Sequence, residues 1–391
     1  MKKLMLFFLL LSYNQILAQF SFSSQLSSFY TDNLYRSPQK TDDFVSSVEL
    51  SVGYESPDWP VSIGFYPQYD SYLNHPEQNF WSGAFSIEYF PFLDKDEAWQ
   101  LYSALNVLGR LNRSDYDLYD YQQYRFMFAV YHDGALGLNR FSYQYQIRNY
   151  SQFDALSNTT HYFNWKFNKS FKTRTSLITN VGLASRNYES QNSFIVVRDT
   201  IYNDNRRGRG HRQHPPQITT RRISVNTNPI VLNQLSLSIR IAQNIFSNLG
   251  VYVQYLKSFD FSSQGTFQNY GSYLGDDELF DDPLSYLSNE WSSQLTWIIS
   301  SDWQLKFNTS YNRKSYLNEK AFLSVTDSIA SGGLRKDKKL DFFLTLDKSI
   351  AVKTNFTLNV AAQIYYINNQ SNSYWYHYEN LITGISLKII Y

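Results

Sequence analysis

Six histidines, two acidic clusters and one arginine-rich stretch are the residues whose types could do chemistry. His75, His132, His161 and His377 stand alone in the chain, and only His211 and His214 lie close together. That pair sits inside Arg206-Arg207-Gly208-Arg209-Gly210-His211-Arg212-Gln213-His214, where the neighbouring guanidinium charges oppose a divalent ion. Arginine offers phosphate a planar two-pronged donor, so this stretch reads better as a basic loop for lipopolysaccharide phosphates or an acidic partner. A plain solvated Gly/Arg/Pro loop explains it more simply still. The carboxylates Asp276, Asp277, Glu278, Asp281 and Asp282 could offer Ca²⁺ the hard oxygens it takes, but a solvated acidic loop accounts for them as well. Nucleophilic catalysis needs a base within hydrogen-bond reach and a third group to orient it. The chain has no Gly-x-Ser-x-Gly elbow and no His-Glu-x-x-His, and His132-Asp133-Gly134-Ala135 reads as a turn. His161 falls on the apolar side of its run, beside Phe163, Trp165 and Phe167. No enzyme activity, cofactor or metal is expected from these residues.

The elements that would carry them alternate. Trp303, Leu305, Phe307, Thr309 and Tyr311 interleave with Gln304, Lys306, Asn308 and Ser310, and Phe356, Leu358, Val360, Ala362 and Ile364 with Thr357, Asn359, Ala361 and Gln363. This period of two marks a strand with one apolar face. Similar runs lie at 48–55, 61–69, 81–90, 97–109, 122–131, 141–150, 160–169, 174–184, 235–241, 250–259, 291–299, 340–347 and 379–391. The connections are lopsided. Short turns such as 56–60, 132–135, 170–172 and 300–302 alternate with long polar loops near 32–42, 111–121, 190–232, 263–288 and 317–338. Short turns at one end and long loops at the other describe an outer-membrane barrel. The rhythm gives about 16 strands (14–18), all antiparallel, in a closed transmembrane β-barrel.

Composition agrees with that reading. Of 391 residues 18% are aromatic, 33 of them Tyr, while only 18% are charged, less than the quarter or so of a soluble domain. Lys and Arg total 35 against 34 Asp and Glu, which argues against a nucleic-acid footprint. The absence of Cys excludes disulfides and thiolate sites. Met1-Lys2-Lys3 followed by the apolar run Leu4–Tyr13 and a small residue at Ala18 has the plan of a cleaved secretory signal, residues 1–18. Residues 19–391 then form one barrel domain. Trp81, Tyr89, Phe90, Phe92, Trp99, Trp291, Trp297, Trp303 and Tyr391 fall near expected strand ends, where amphipathic rings prefer the headgroup level. A secreted β-sandwich shows the same alternation but gives no reason for that placement.

The final run, Leu381-Ile382-Thr383-Gly384-Ile385-Ser386-Leu387-Lys388-Ile389-Ile390-Tyr391, resembles the C-terminal strand of Gram-negative outer-membrane β-barrel proteins, which alternates and ends in an aromatic. The resemblance implies that the barrel-assembly machinery reads this strand, with Tyr391 as the assembly signal. The Ala18-Gln19 junction is similar to signal-peptidase sites of Bacteroidota exports, and Thr31–Pro38 with Asp42 and Asp43 resembles the first hairpin loop of some porins.

With the alternation as guide, the lumen should be lined by Arg125, Arg148, Lys166, Arg174, Arg240, Lys306 and Lys388, opposed by Glu49, Glu88, Asp341 and Asp347. Rings of Arg or Lys favour anions, although charge ladders bracing the wall explain the same residues. The 190–232 segment has two options: folding inward to constrict the pore, or pairing Ser193–Val197 with Ile218–Val225 as a hairpin. The expected function is a porin-like channel passing small hydrophilic solutes, with a mild preference for anions. The competing reading is a non-conducting anchor or partner platform in an envelope complex. Membrane lipid and lipopolysaccharide are the expected surroundings, a homo-oligomer or envelope protein the expected partner, and both termini should be periplasmic.

Overall fold

A computed structural model describes residues 20–93, 98–188, 192–201, 217–226, 230–262, 282–327, 330–353 and 356–391. Residues 1–18, read as a signal, lie outside them. The strands in chain order are β1 (Phe20–Thr31), β2 (Asp43–Glu55), β3 (Val61–Tyr72), β4 (Phe80–Tyr89), β5 (Trp99–Asn112), β6 (Tyr121–Gly134), β7 (Gly137–Tyr150), β8 (Asn158–Ser170) and β9 (Thr175–Tyr188). They continue with β10 (Asn192–Ile201), β11 (Gln217–Asn226), β12 (Ile230–Phe246), β13 (Leu249–Asp260), β14 (Tyr286–Ile298), β15 (Trp303–Lys320), β16 (Leu334–Lys353), β17 (Phe356–Ser371) and β18 (Tyr378–Ile390). Sixteen of them close into one antiparallel barrel in which each strand pairs with its chain neighbours, β9 passes directly to β12, and β18 returns to β1. The pair β10–β11 forms a separate two-stranded sheet, Asn192 opposite Asn226 through Ile201 opposite Gln217. Of the two options for the 190–232 segment, the described residues take the hairpin pairing.

The strand missing from the sequence inventory is β1. Its residues Phe20-Ser21-Phe22-Ser23-Ser24-Gln25-Leu26 hold too much serine to advertise an apolar face, yet Leu26 faces Val48 and Phe22 faces Val52 in the adjoining strand. The register transmits one parity round the barrel. Outward rows carry Val48, Phe65, Phe85, Phe126, Phe163, Leu183 and Ile239, all exposed, whereas the inward positions beside them are mostly small or polar, such as Ser47, Glu49, Gly64, Ser86, Arg125, Asn164, Gly182, Ser238 and Arg240. Apolar side chains that crowd the outer face and polar ones that face the interior invert the arrangement of a soluble core, as a lipid-facing barrel requires.

Aromatic rings gather at both rims of this outer face. Near the long connections Tyr69 packs on Trp81 at 4.6 Å and Tyr255 on Trp291 at 4.7 Å. Near the short ones Phe20 packs on Tyr54 at 5.1 Å and Trp99 on His132 at 4.1 Å. Along β2 the outward aromatics Phe44 and Tyr54 are separated by roughly 33 Å of strand, or about 25 Å across a tilted wall, the height of an apolar band. His132 is therefore an outward residue inside β6, and the turn lies beyond it at Ala135-Leu136. Gly137 after that turn has φ +137°, and a Cβ there would sit 2.5 Å from the Asn168 carbonyl oxygen, so only glycine fits.

Closing the ring falls to β1 and β18, paired from Ser23 opposite Ile390 to Thr31 opposite Ile382. At the short-turn end, Tyr391 and Phe22 exchange backbone hydrogen bonds of 2.9 and 3.2 Å. At the other end Thr31 Oγ1 donates to Asn380 Oδ1 at 2.8 Å, and Asp32 Oδ1 accepts from the Leu381 N–H at 2.7 Å. Asp32 also binds Lys40 Nζ at 2.6 Å, which raises that ammonium above its usual range. Deleting Tyr391 should lower the yield of folded barrel; an unchanged yield of the heat-modifiable band on gels would show the seam does not need it. Ile364→Arg, outward at mid-strand in β17, should cost about 2–4 kcal/mol in denaturant titrations of refolded protein, while Gln363→Arg beside it on the inner face should cost far less.

Candidate functional site: the inner wall of the barrel

The inner wall is charged by sectors. From β6 to β12 the inward residues include Arg125, Arg140, Arg148, Lys166, Arg186 and Arg240, while β2 to β4 present Asp43, Glu49, Asp70 and Glu88. The basic sector runs down the wall in steps. Arg125, Gln146, Thr160 and Arg186 occupy one cross-strand row. Arg140 and Lys166 face each other further from the long connections, and Arg240 lies lower again, opposite Ile178. Three of these cations donate to glutamine oxygens: Arg148 Nε to Gln123 Oε1 at 2.8 Å, Arg125 Nε to Gln146 Oε1 at 3.4 Å and Arg240 Nε to Gln254 Oε1 at 2.7 Å. At Arg240 the glutamine orients the guanidinium without neutralising it.

Among the recesses of this wall in the described residues, two hold charged groups at their edges. One, of about 510 Å³, is bounded by Arg240, Tyr252, Gln254, Glu290, Asp341 and Tyr365 among others. Arg240, Gln254, Ser292, Ser310 and Asp341 form a single row across it. Its cation and carboxylate ends thus lie about 19 Å apart, four interstrand spacings. Arg240 stacks 4.3 Å over the Tyr252 ring, and Ser310 Oγ donates to Asp341 Oδ2 at 2.8 Å. The other recess, of about 420 Å³, is lined by Arg125, Gln146, Tyr162, Arg186 and Glu290 and is roofed by Pro283 and Leu284.

That roof corrects the reading of Asp282 as part of a solvated acidic loop. Its carboxylate is fully buried, 2.9 Å from Arg186 Nη1, and accepts a hydrogen bond from the Tyr188 hydroxyl. Gln234 Nε2 donates to the Pro283 carbonyl at 2.7 Å and to that of Tyr286 at 3.1 Å. Leu284 then packs with Tyr150, Phe153, Leu156, Tyr188 and Leu232 in a small apolar cluster. Residues 282–285 are thereby docked against the β7–β9–β12 wall at the long-connection end. The other acidic residues of that loop, Asp276, Asp277, Glu278 and Asp281, lie outside the described residues, as do Arg206–Arg212, His211 and His214.

Arg125, Arg148, Lys166, Arg240, Lys306 and Lys388, with Glu49, Glu88, Asp341 and Asp347, all take inward parity. Lys306 and Asp347 pair at 3.6 Å, and Glu49 and Lys388 flank Gln25 in one row. Arg174 differs from expectation. It lies outside the strand, exposed in the turn before β9 with φ 61°, where its backbone closes the turn and its side chain is at the barrel rim. Arg110, Arg140, Arg186 and Glu290 escaped the sequence reading because their strands run past the apolar alternation. Beyond the hydrocarbon both faces are polar while the ladder continues, so periodicity ends before the strand does. Extending each run by two or three residues at constant parity would have found them.

The four described histidines, His75, His132, His161 and His377, do not assemble a site. His161 Nδ1 lies 2.8 Å from the Tyr143 hydroxyl on the outer face, His75 pairs with buried Asp43 at 2.9 Å in a loop, and His377 is exposed. Among the described residues no group of three His, Cys, Asp or Glu is placed to hold a metal.

No protein-family model matches the chain, and no curated protein resembles it in sequence. Among solved structures, the outer membrane protein OpdK from Pseudomonas aeruginosa is similar over 96% of this chain and 99% of its own, at 9% identity and a TM-score of 0.46. OccAB1 from Acinetobacter baumannii is similar over 95% and 96%, at 10% identity and a TM-score of 0.48. OccK2 (OpdF) from Pseudomonas aeruginosa, solved in complex with glucuronate, is similar over 95% and 97%, at 12% identity and a TM-score of 0.46. The closed sixteen-strand barrel rests on the hydrogen-bond topology of this chain itself.

Removing one partner of a buried ion pair costs about 3–5 kcal/mol because the other charge is stranded. Asp282→Ala should therefore release residues 282–285 from the wall. The chain has no cysteine, so Leu284→Cys provides a unique thiol; maleimide labelling should be slow in that single variant and much faster with Asp282→Ala added. Equal rates would mean the pair does not hold the roof.

Proposed function

We propose that this protein is an outer-membrane channel through which small hydrophilic solutes diffuse passively, with a mild preference for anions. The observation that carries this reading is the inner wall of a closed sixteen-strand barrel, with basic side chains at several depths from β6 to β12, Arg240 among them held by a glutamine oxygen. A barrel of this strand number encloses an aqueous lumen wide enough to conduct. Cations fixed along the wall at several depths offer an anion successive weak sites, strong enough to admit it and weak enough to let it leave. The acidic sector on β2–β4 opposes the basic one and gives the lumen a transverse field. The short connections and both chain ends belong on the periplasmic side, the long connections on the outside. No step in this function forms or breaks a covalent bond.

The docked roof and the long connections also favour a second reading, a non-conducting barrel that serves as a platform for an envelope partner. Planar-bilayer recording from refolded protein under a salt gradient separates the two. Steady conductance with a reversal potential of anionic sign, lowered or inverted in Arg240→Glu, is the expected result. A correctly folded barrel that stays silent, both in the native chain and with Asp282→Ala, would overturn the channel and leave the platform.

A further inference from the structure

The outer face carries cations where the barrel itself has no use for them. On β13 to β16, Lys257, Asn289, Arg313 and Lys338 face outward in one cross-strand row, each directly opposite the next. Lys336 stands one outward position further along β16, opposite Ser315. The next row toward the membrane centre is Tyr255, Trp291, Tyr311 and Leu340. A strip of basic side chains thus lies immediately beyond an aromatic belt, at the end of the barrel that bears the long connections.

Like charges opposed across two strands are destabilising, and Arg313 faces Lys338 in that way. Nothing in the described barrel relieves them. Arg313 Nε donates to the Tyr311 hydroxyl at 2.8 Å, and Lys257 Nζ to Asn289 Oδ1 at 2.8 Å, while no carboxylate among the described residues comes within ion-pair distance of Lys257, Arg313, Lys336 or Lys338. Within β13 to β16 the other outward positions of these rows hold Tyr, Trp, Leu, Asn, Ser and Phe but no acid, and the first carboxylate along them is Glu379, two strands further round on β18. The placement is also local: at the corresponding rim on other strands the outward residues are Phe44, Tyr69, Leu111, Gln122, Asn149 and Thr159, none of them basic. Arg313, Lys336 and Lys338 are exposed.

We infer that the β13–β16 outer face binds the phosphate groups of a glycolipid in the surrounding outer leaflet, with Lys257, Arg313 and Lys338 as its ligands. Aromatic rings set the headgroup level, so cations just beyond them meet phosphate rather than acyl chain. Arginine grips phosphate with two parallel donors and lysine adds a point charge. The row spans about 14 Å, three interstrand spacings, which suits a headgroup bearing more than one phosphate better than a single-phosphate lipid. The inference rests on the outer-membrane placement proposed above.

The test uses the refolded full chain in detergent, titrated with lipopolysaccharide, with its enzymatically dephosphorylated form and with phosphatidylglycerol, reading the midpoint of thermal unfolding. Phosphorylated lipopolysaccharide should raise the midpoint saturably. The variant Lys257→Gln/Arg313→Gln/Lys338→Gln should need about tenfold more lipid or greater for the same rise. Lys348→Gln, at the opposite rim, should behave as the native chain. If the triple variant fails to refold, Arg313→Gln alone should still show a weakened response. Equal protection by the dephosphorylated form, or by phosphatidylglycerol at matched phosphate, would overturn the site, as would an unaltered triple variant. A chain that never gives a heat-modifiable folded form would instead overturn the membrane barrel itself.

Discussion

Ring closure is the constraint from which the rest of this structure follows. A strand at the edge of an open sheet presents unpaired N–H and C=O groups, and in hydrocarbon each of those would cost several kcal/mol. Pairing β1 with β18 removes both edges at once. The pairing demands an even number of strands, brings both ends of the barrel wall to the same rim, and forces all connections to alternate between the two rims. It also fixes parity: once Leu26 faces outward, the register carries that choice through sixteen strands and decides for every inward side chain that it meets water or a neighbour in the lumen.

Because parity is inherited in this way, the two faces can be occupied by different chemistry without conflict. The outer face uses apolar residues through the middle and aromatic rings at the rims. The inner face is free to carry charge, and it does so unevenly, with carboxylates on β2–β4 and again on β14–β16 and guanidinium groups gathered on β6–β12. The glutamine partners matter here. A carboxylate beside Arg240 would fix the side chain equally well but cancel its charge, whereas Gln254 orients it and leaves the field intact. Carboxylate pairing at Arg186–Asp282 fastens a connection to the wall, whereas Arg335 with Glu319 and Asp337 ties β15 to β16, and Lys306 pairs with Asp347 on the inner face. Arg335 is further clamped between the rings of Tyr316 and Tyr376, at 4.1 and 3.2 Å.

The long connections show how unevenly order is distributed at that rim. Residues 151–157 and 282–285 contribute Phe153, Leu156 and Leu284 to one apolar cluster, a miniature core that they share with Tyr150, Tyr188 and Leu232 at the strand ends. The segment between β9 and β12 instead pairs with itself as β10 and β11. Two neighbouring connections thus solve the problem of their backbone polar groups differently, one by leaning on the wall and the other by making its own ladder.

The sequence by itself determined the strand class, the closed barrel and its strand number of about 16, because a period of two survives wherever one face touches hydrocarbon and the other water. It also exposed the asymmetry of the connections, since loop length is legible without contacts. What it did not determine lay where that contrast fades. Phe20–Thr31 hid behind serines, Arg110, Arg140, Arg186 and Glu290 lay past the apolar band, and Arg174 kept strand parity in the sequence but left the strand at a left-handed turn. Only the tertiary structure decided that Asp282 would be buried against Arg186, ninety-six positions away, and that Lys257, Arg313 and Lys338 would share one row. Contacts between distant strands are fixed by register round a closed ring, and no local pattern of residue types encodes them.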